Sequence, residues 1–170
     1  MVRKNHMPRL LLAVVCASFI ALTSLAAEPS APSTLKPLGE DEVTLQRIKT
    51  FFEAALYNAE FDKDGDLRIT DGGLKTYVAI DKEKKVISFF SLWALKASAP
   101  EIKRLQLVNS MNRDLILVRF FMQKPTLLVA DYQFLYEKGI TPYAIMSHYR
   151  LYAKVVKGGV IIKDPENIIG

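Results

Sequence analysis

Asp62, Asp64 and Asp66 stand at alternate positions in FDKDGDLRITDGG, residues 61–73, and three carboxylates at that spacing could open a calcium loop. An EF-hand loop takes oxygen ligands from positions 1, 3 and 5, bends sharply at a glycine at position 6, and completes the coordination sphere with a bidentate Glu at position 12. Counted from Asp62, position 6 is Leu67 and position 12 is Gly73, so the bend and two of the oxygens are missing. An EF-hand loop also joins two helices, whereas DLRIT, just after this one, reads as a strand. The expectation is therefore a turn in which Asp side chains accept backbone N–H bonds and Gly65 supplies a positive φ, with no metal site.

Nucleophilic chemistry has less to work with. His148 is the one histidine beyond the N-terminal region, and its neighbour Ser147 points in a different direction on a helix, so the two do not form a dyad. The single cysteine, Cys16, lies in the N-terminal apolar run. Lys82, Lys84 and Lys85 crowd one turn and Lys103 and Arg104 one helix surface, without a glycine-rich phosphate loop beside them. No catalytic residue, cofactor or nucleic-acid site is expected.

The chain must be sorted into what folds and what does not. Arg3, Lys4 and Arg9 precede an apolar run from Leu10 to Leu22, and small residues follow at Ser24, Ala26 and Ala27. A basic start, an apolar stretch too short for an ordinary spanning helix and a small-residue exit predict a signal peptide over residues 1–26, and no stable membrane insertion after its removal. Without it, 20 basic residues face 18 acidic ones, a net charge of +2 instead of +5. The alkaline character is thus partly the leader's and argues little for nucleic-acid binding. The proline-rich stretch that follows predicts a flexible linker over residues 27–40, and residues 41–170 a single domain.

Period and punctuation place the elements of that domain. Val43, Leu45, Ile48, Phe51, Phe52, Ala55 and Leu56 form a helical stripe ending near Asn58. Three strands follow, separated by Asp71-Gly72-Gly73 and by the DKEKK break, and the most apolar is Val86–Leu95, with Trp93 as a core residue. Ser98 and Pro100 start a second helix running to about Asn112, where Asn109 and Asn112 suit helix capping. LILVRFFMQ and TLLVADYQF form a hairpin. Thr141 and Pro142 start a last helix that Gly158-Gly159 is expected to stop. The fold class is α+β, an antiparallel five-stranded sheet with three helices in the order α-β-β-β-α-β-β-α.

Asp64-Gly65-Asp66-Leu67, then Gly73, Tyr77-Val78 and Ile80-Asp81, then Leu107-Val108-Asn109-Ser110-Met111-Asn112 ahead of a hairpin, resemble the YbjN family of bacterial sensory transduction regulators. The resemblance spans about residues 41–157, and departs in having Lys124-Pro125 where members often carry a glycine-containing tip. It implies a fold similar to type III secretion chaperones and no catalytic activity. It also singles out Asp64, Gly65, Asp66, Gly73, Asn109 and Asn112 as family-motif residues, structural in role.

A one-sided sheet leaves a second face to account for, and the C-terminal half is rich in aromatics that could form a patch for another chain. The expectation is an exported, non-catalytic protein of the periplasm or extracellular space that binds another polypeptide or a homodimer mate. The alternative is a periplasmic small-ligand or calcium sensor.

Overall fold

The structure is a computed structural model that describes residues 36–170, apart from the side chains of residues 161 and 162. The expected signal peptide and most of the expected linker lie outside the described residues. Ordered contacts begin before the expected domain start: Leu38 is buried and exchanges two backbone hydrogen bonds with Ile140, at 2.8 and 3.0 Å. Glu40 ties the same segment down through Lys85 and the Lys138 amide. Those partners hold its carboxyl below the usual range, the backbone bond from Lys138 first. From Leu38 on, the supposed linker is part of the fold.

The elements in chain order are α1 (Leu45–Ala54), β1 (Asn58–Phe61), β2 (Leu67–Asp71), β3 (Leu74–Asp81), β4 (Val86–Ala94), α2 (Glu101–Asp114), β5 (Arg119–Lys124), β6 (Leu127–Leu135) and α3 (Pro142–Lys163). The strands form one antiparallel sheet in the order β1-β2-β3-β4-β6-β5. It has six strands, not five. The one missed, β1, begins at Asn58, where the first helix was expected to end. Thr44 caps α1 by accepting from the Arg47 amide, and the helix ends at Ala54 with Leu56 in the left-handed region at φ 64°. NAEF has only one buried residue, Ala59, so no alternation marks it as a strand.

The turns follow their chemistry. Gly72 and Gly73, at φ 55° and 85°, are the two central residues of a two-residue hairpin, the positive pair a type I′ turn requires. Two elements run past their expected ends. α2 reaches Asp114, beyond the asparagines. α3 continues through Gly158 and Gly159 to Lys163, because neither glycine takes the left-handed conformation that would end it. Gly159 has another use: a Cβ there would lie 2.3 Å from Leu115 Cδ1, so its bareness admits the loop after α2. The tail then folds back, with Asp164 accepting the Ile168 and Ile169 amides and Ile169 bridging to Leu95.

The core lies between the sheet's inner face and the helices. Phe52 of α1, Phe89 of β4 and Tyr149 of α3 meet edge to face, with centroids 4.8 to 6.3 Å apart. Three buried hydroxyls form a chain, Tyr152 donating to Ser91 Oγ at 2.8 Å and Ser91 to Thr76 Oγ1 at 3.4 Å, whereas the Tyr149 hydroxyl has no partner among the described residues. Burial pushes the Tyr149 and Tyr152 phenols up, which keeps both neutral.

Candidate functional site

In an antiparallel sheet, residues directly opposite one another on neighbouring strands share a face and interact as pairs. On the face away from the helices, one row crosses all six strands. It runs Glu60, Arg68, Tyr77, Phe90, Asp131, Arg119 through successive register partners. Two ion pairs, Glu60–Arg68 and Asp131–Arg119, flank an aromatic pair. The Tyr77 and Phe90 rings stack with centroids 5.4 Å apart and an interplanar angle of 21°.

The rows on either side differ from each other. Ala79, Ser88 and Gln133 are register partners on one flank, small or polar; Leu92, Val129 and Phe121 are register partners on the other, apolar. The small side chains of Ala79 and Ser88 leave a shallow depression of about 350 Å³, with Phe90, Phe121 and Asp131 in its lining. Asp131 is its most confined polar group, its side chain only 10% exposed against 64% for Arg119. Asp131 Oδ2 accepts from Arg119 and from Gln133 Nε2, the latter at 3.3 Å. The Arg119 guanidinium lies over the Phe121 ring, 5.1 Å from its centroid.

The family-motif residues fall elsewhere and do not converge. In the β1–β2 turn, Asp62 Oδ1 accepts the Asp64 and Asp66 amides, each at 3.0 Å, and Gly65 takes φ 86°. The carboxylates of Asp64 and Asp66 point to solvent, and among the described residues no three His, Cys, Asp or Glu side chains are grouped to hold a metal ion. Gly73 serves the next turn. Asn109 is exposed on α2.

Asn112 does something the sequence did not suggest. Its Oδ1 accepts the Phe120 amide at 2.9 Å and its Nδ2 donates to the Phe120 carbonyl at 2.7 Å. β5 is an edge strand, so this one side chain satisfies backbone groups that would otherwise be free to pair with a stray strand. It fastens a strand and caps no helix.

His148 faces the sheet's inner side, with Nδ1 2.7 Å from the Tyr132 hydroxyl and its ring stacked on Phe134 at 4.2 Å. Burial holds its pKa below the usual value and pushes the Tyr132 phenol up. Tyr132 is its one side-chain hydrogen-bond partner among the described residues, with no serine hydroxyl bonded to it. Two of the three lysines in the turn after β3 are spent on Asp81 and Glu40, at 2.9 Å from Lys84 and 3.2 Å from Lys85. Trp93 is only partly buried, beside the Gly72–Gly73 turn and α3. The residues that sequence reasoning missed, Arg119, Asp131, Tyr77 and Phe90, become neighbours only through strand register. The one available signal is a charge, Asp131, in the middle of the apolar run TLLVADYQF.

A family model described as "Putative bacterial sensory transduction regulator", YbjN, matches residues 44–157. The chain belongs to the YbjN family. The match begins at the N-cap of α1 and ends within α3, so it takes in the whole sheet. The crystal structure of E. coli YbjN, described there as a putative transcription regulator, is similar in fold. Its TM-score is 0.63 at 12% identity, over 75% of this chain and 96% of that one. Two further structures match at lower scores. The HopA1–SchA chaperone–effector complex gives a TM-score of 0.47 at 13% identity, over 67% of this chain and 91% of that one. The Yersinia pestis type III secretion chaperone SycH, in complex with a fragment of YscM2, gives 0.44 at 13% identity, over 70% and 99%. No curated protein matches the sequence.

Proposed function

We propose that this YbjN-family chain is an exported, non-catalytic module that binds another polypeptide through the outer face of its sheet, in a regulatory or chaperone-like role. One observation carries the reading: the helices cover a single face, and on the other the half-buried Tyr77–Phe90 stack lies beside exposed Leu92 and half-buried Phe121, between two ion pairs. Partner-binding surfaces combine an aromatic and apolar centre with a polar rim in this way. An extended segment could lie along the strands there, its alternate side chains meeting the rows described above. Export rests on the basic and apolar character of residues 1–26, and would place the partner in the periplasm or outside the cell.

The test is affinity capture with matched variants of the mature chain. Leu92→Glu with Phe121→Glu places charge on the outer face; Ile102→Glu with Tyr143→Glu places it on exposed apolar residues of the helical layer. A polypeptide held by wild type and by the helical-layer variant, and lost by the outer-face variant, supports the reading. Equal retention by all three overturns it.

A further inference from the structure

The Asp131 carboxylate is only half used. Its Oδ2 holds Arg119 and Gln133, while among the described residues no donor reaches Oδ1. Asp131 lines the depression, together with its partner Arg119, the Phe90 and Phe121 rings, the apolar Leu92 and Val129, and the Ser88 hydroxyl and Gln133 amide, each able to donate or accept. A carboxylate beside aromatic faces in a confined hollow favours a cation with directed N–H groups.

The chain itself shows which cation fits. Arg119 places a planar guanidinium between Asp131 and the Phe121 ring, yet it comes from the edge strand and is itself mostly exposed. A side chain so exposed gives up little when it swings away, because water replaces its contacts. We propose that the depression is a subsite for an arginine side chain of the bound polypeptide, and that Arg119 is its resident stand-in. The incoming guanidinium donates to the Asp131 carboxylate, stacks on Phe90 or Phe121, and displaces Arg119. A glutamate or an uncharged isostere has no comparable fit, since the one cation in the hollow is already committed. The arginine's source, a polypeptide, rests on the proposed function; the subsite does not.

The experiment is an NMR titration of the folded mature protein with the tripeptide acetyl-Gly-Arg-Gly-amide, with acetyl-Gly-citrulline-Gly-amide as the neutral isostere. Arg119→Ala should bind the arginine peptide about two- to five-fold more tightly than wild type, the small cost of displacing an exposed ion-pair partner. Shifts should centre on Ser88, Phe90 and Gln133, and citrulline should bind weakly to both proteins. Arg119→Ala with Asp131→Asn should lose the gain. If that double variant does not fold, Arg119→Ala with Phe121→Leu serves instead, and should bind several-fold more weakly than Arg119→Ala alone. Equal affinity for arginine and citrulline, or no gain on removing Arg119, overturns the subsite. A positive titration alongside a failed capture experiment would keep the cation site and discard the polypeptide partner, so the two failures are separable.

Discussion

At the scale of single residues, two side chains carry more than their exposure suggests. Asn112 makes both of its hydrogen bonds to one strand residue, Phe120. Asn112→Ala leaves that amide and carbonyl without protein partners, and should cost about 1–3 kcal/mol of stability, read from urea unfolding. The exposed Asn109 should tolerate the same change within about 0.5 kcal/mol. His148 gives a pH dependence whose sign follows from its burial. Its folded-state pKa lies below the unfolded value of about 6.5, so the unfolded chain takes up a proton first as pH falls. The contribution is complete above about pH 6.5 and is lost as pH falls from there toward the folded-state pKa. His148→Gln should flatten the slope of thermal stability against pH just below 6.5, leaving the carboxylate-driven slope at lower pH in place. The sequence placed both residues correctly on helices but could not show their partners. Asn112 meets Phe120 only because α2 folds across β5, and His148 meets Tyr132 only because α3 crosses β6.

At the scale of elements, the docking of the N-terminal segment hangs on one glycine. A Cβ at Gly139 would lie 2.3 Å from the Leu38 carbonyl oxygen, a backbone atom that cannot step aside, and φ there is 97°. Gly139→Ala should cost about 1–3 kcal/mol and speed hydrogen exchange at the Leu38 and Ile140 amides, which bond to each other's carbonyls. Exchange in the β3–β4 ladder should stay slow. Elements with a clear period or punctuation were legible: Thr141-Pro142 starts α3, with the Thr141 hydroxyl accepting the Ala144 amide, and Gly72-Gly73 turns β2 into β3. Two misreadings share a cause. β1 shows no alternation because it is a short edge strand, and Gly158-Gly159 resembles a helix stop when Gly159 instead makes room for Leu115. In both places long-range packing overrode the local pattern.

At the scale of the whole molecule, fold class and family could be read from the chain, because the turn glycines and the apolar runs sit at fixed spacing. The outer-face row could not. Glu60, Arg68, Tyr77, Phe90, Asp131 and Arg119 are scattered over 72 positions of sequence, counting from 60 to 131. They line up only when six strands take their register and order, and the β4–β6 pairing that completes the row spans α2 and β5. This face, as proposed, receives a polypeptide. The most direct measurement is photo-cross-linking in the producing cell, with the photoreactive residue p-benzoylphenylalanine placed in turn at Leu92 on the outer face and at Tyr143 on the helical layer. A discrete protein adduct from Leu92 and none from Tyr143 is the expected result. Adducts from Tyr143 alone, or the same adducts from both positions, would contradict it.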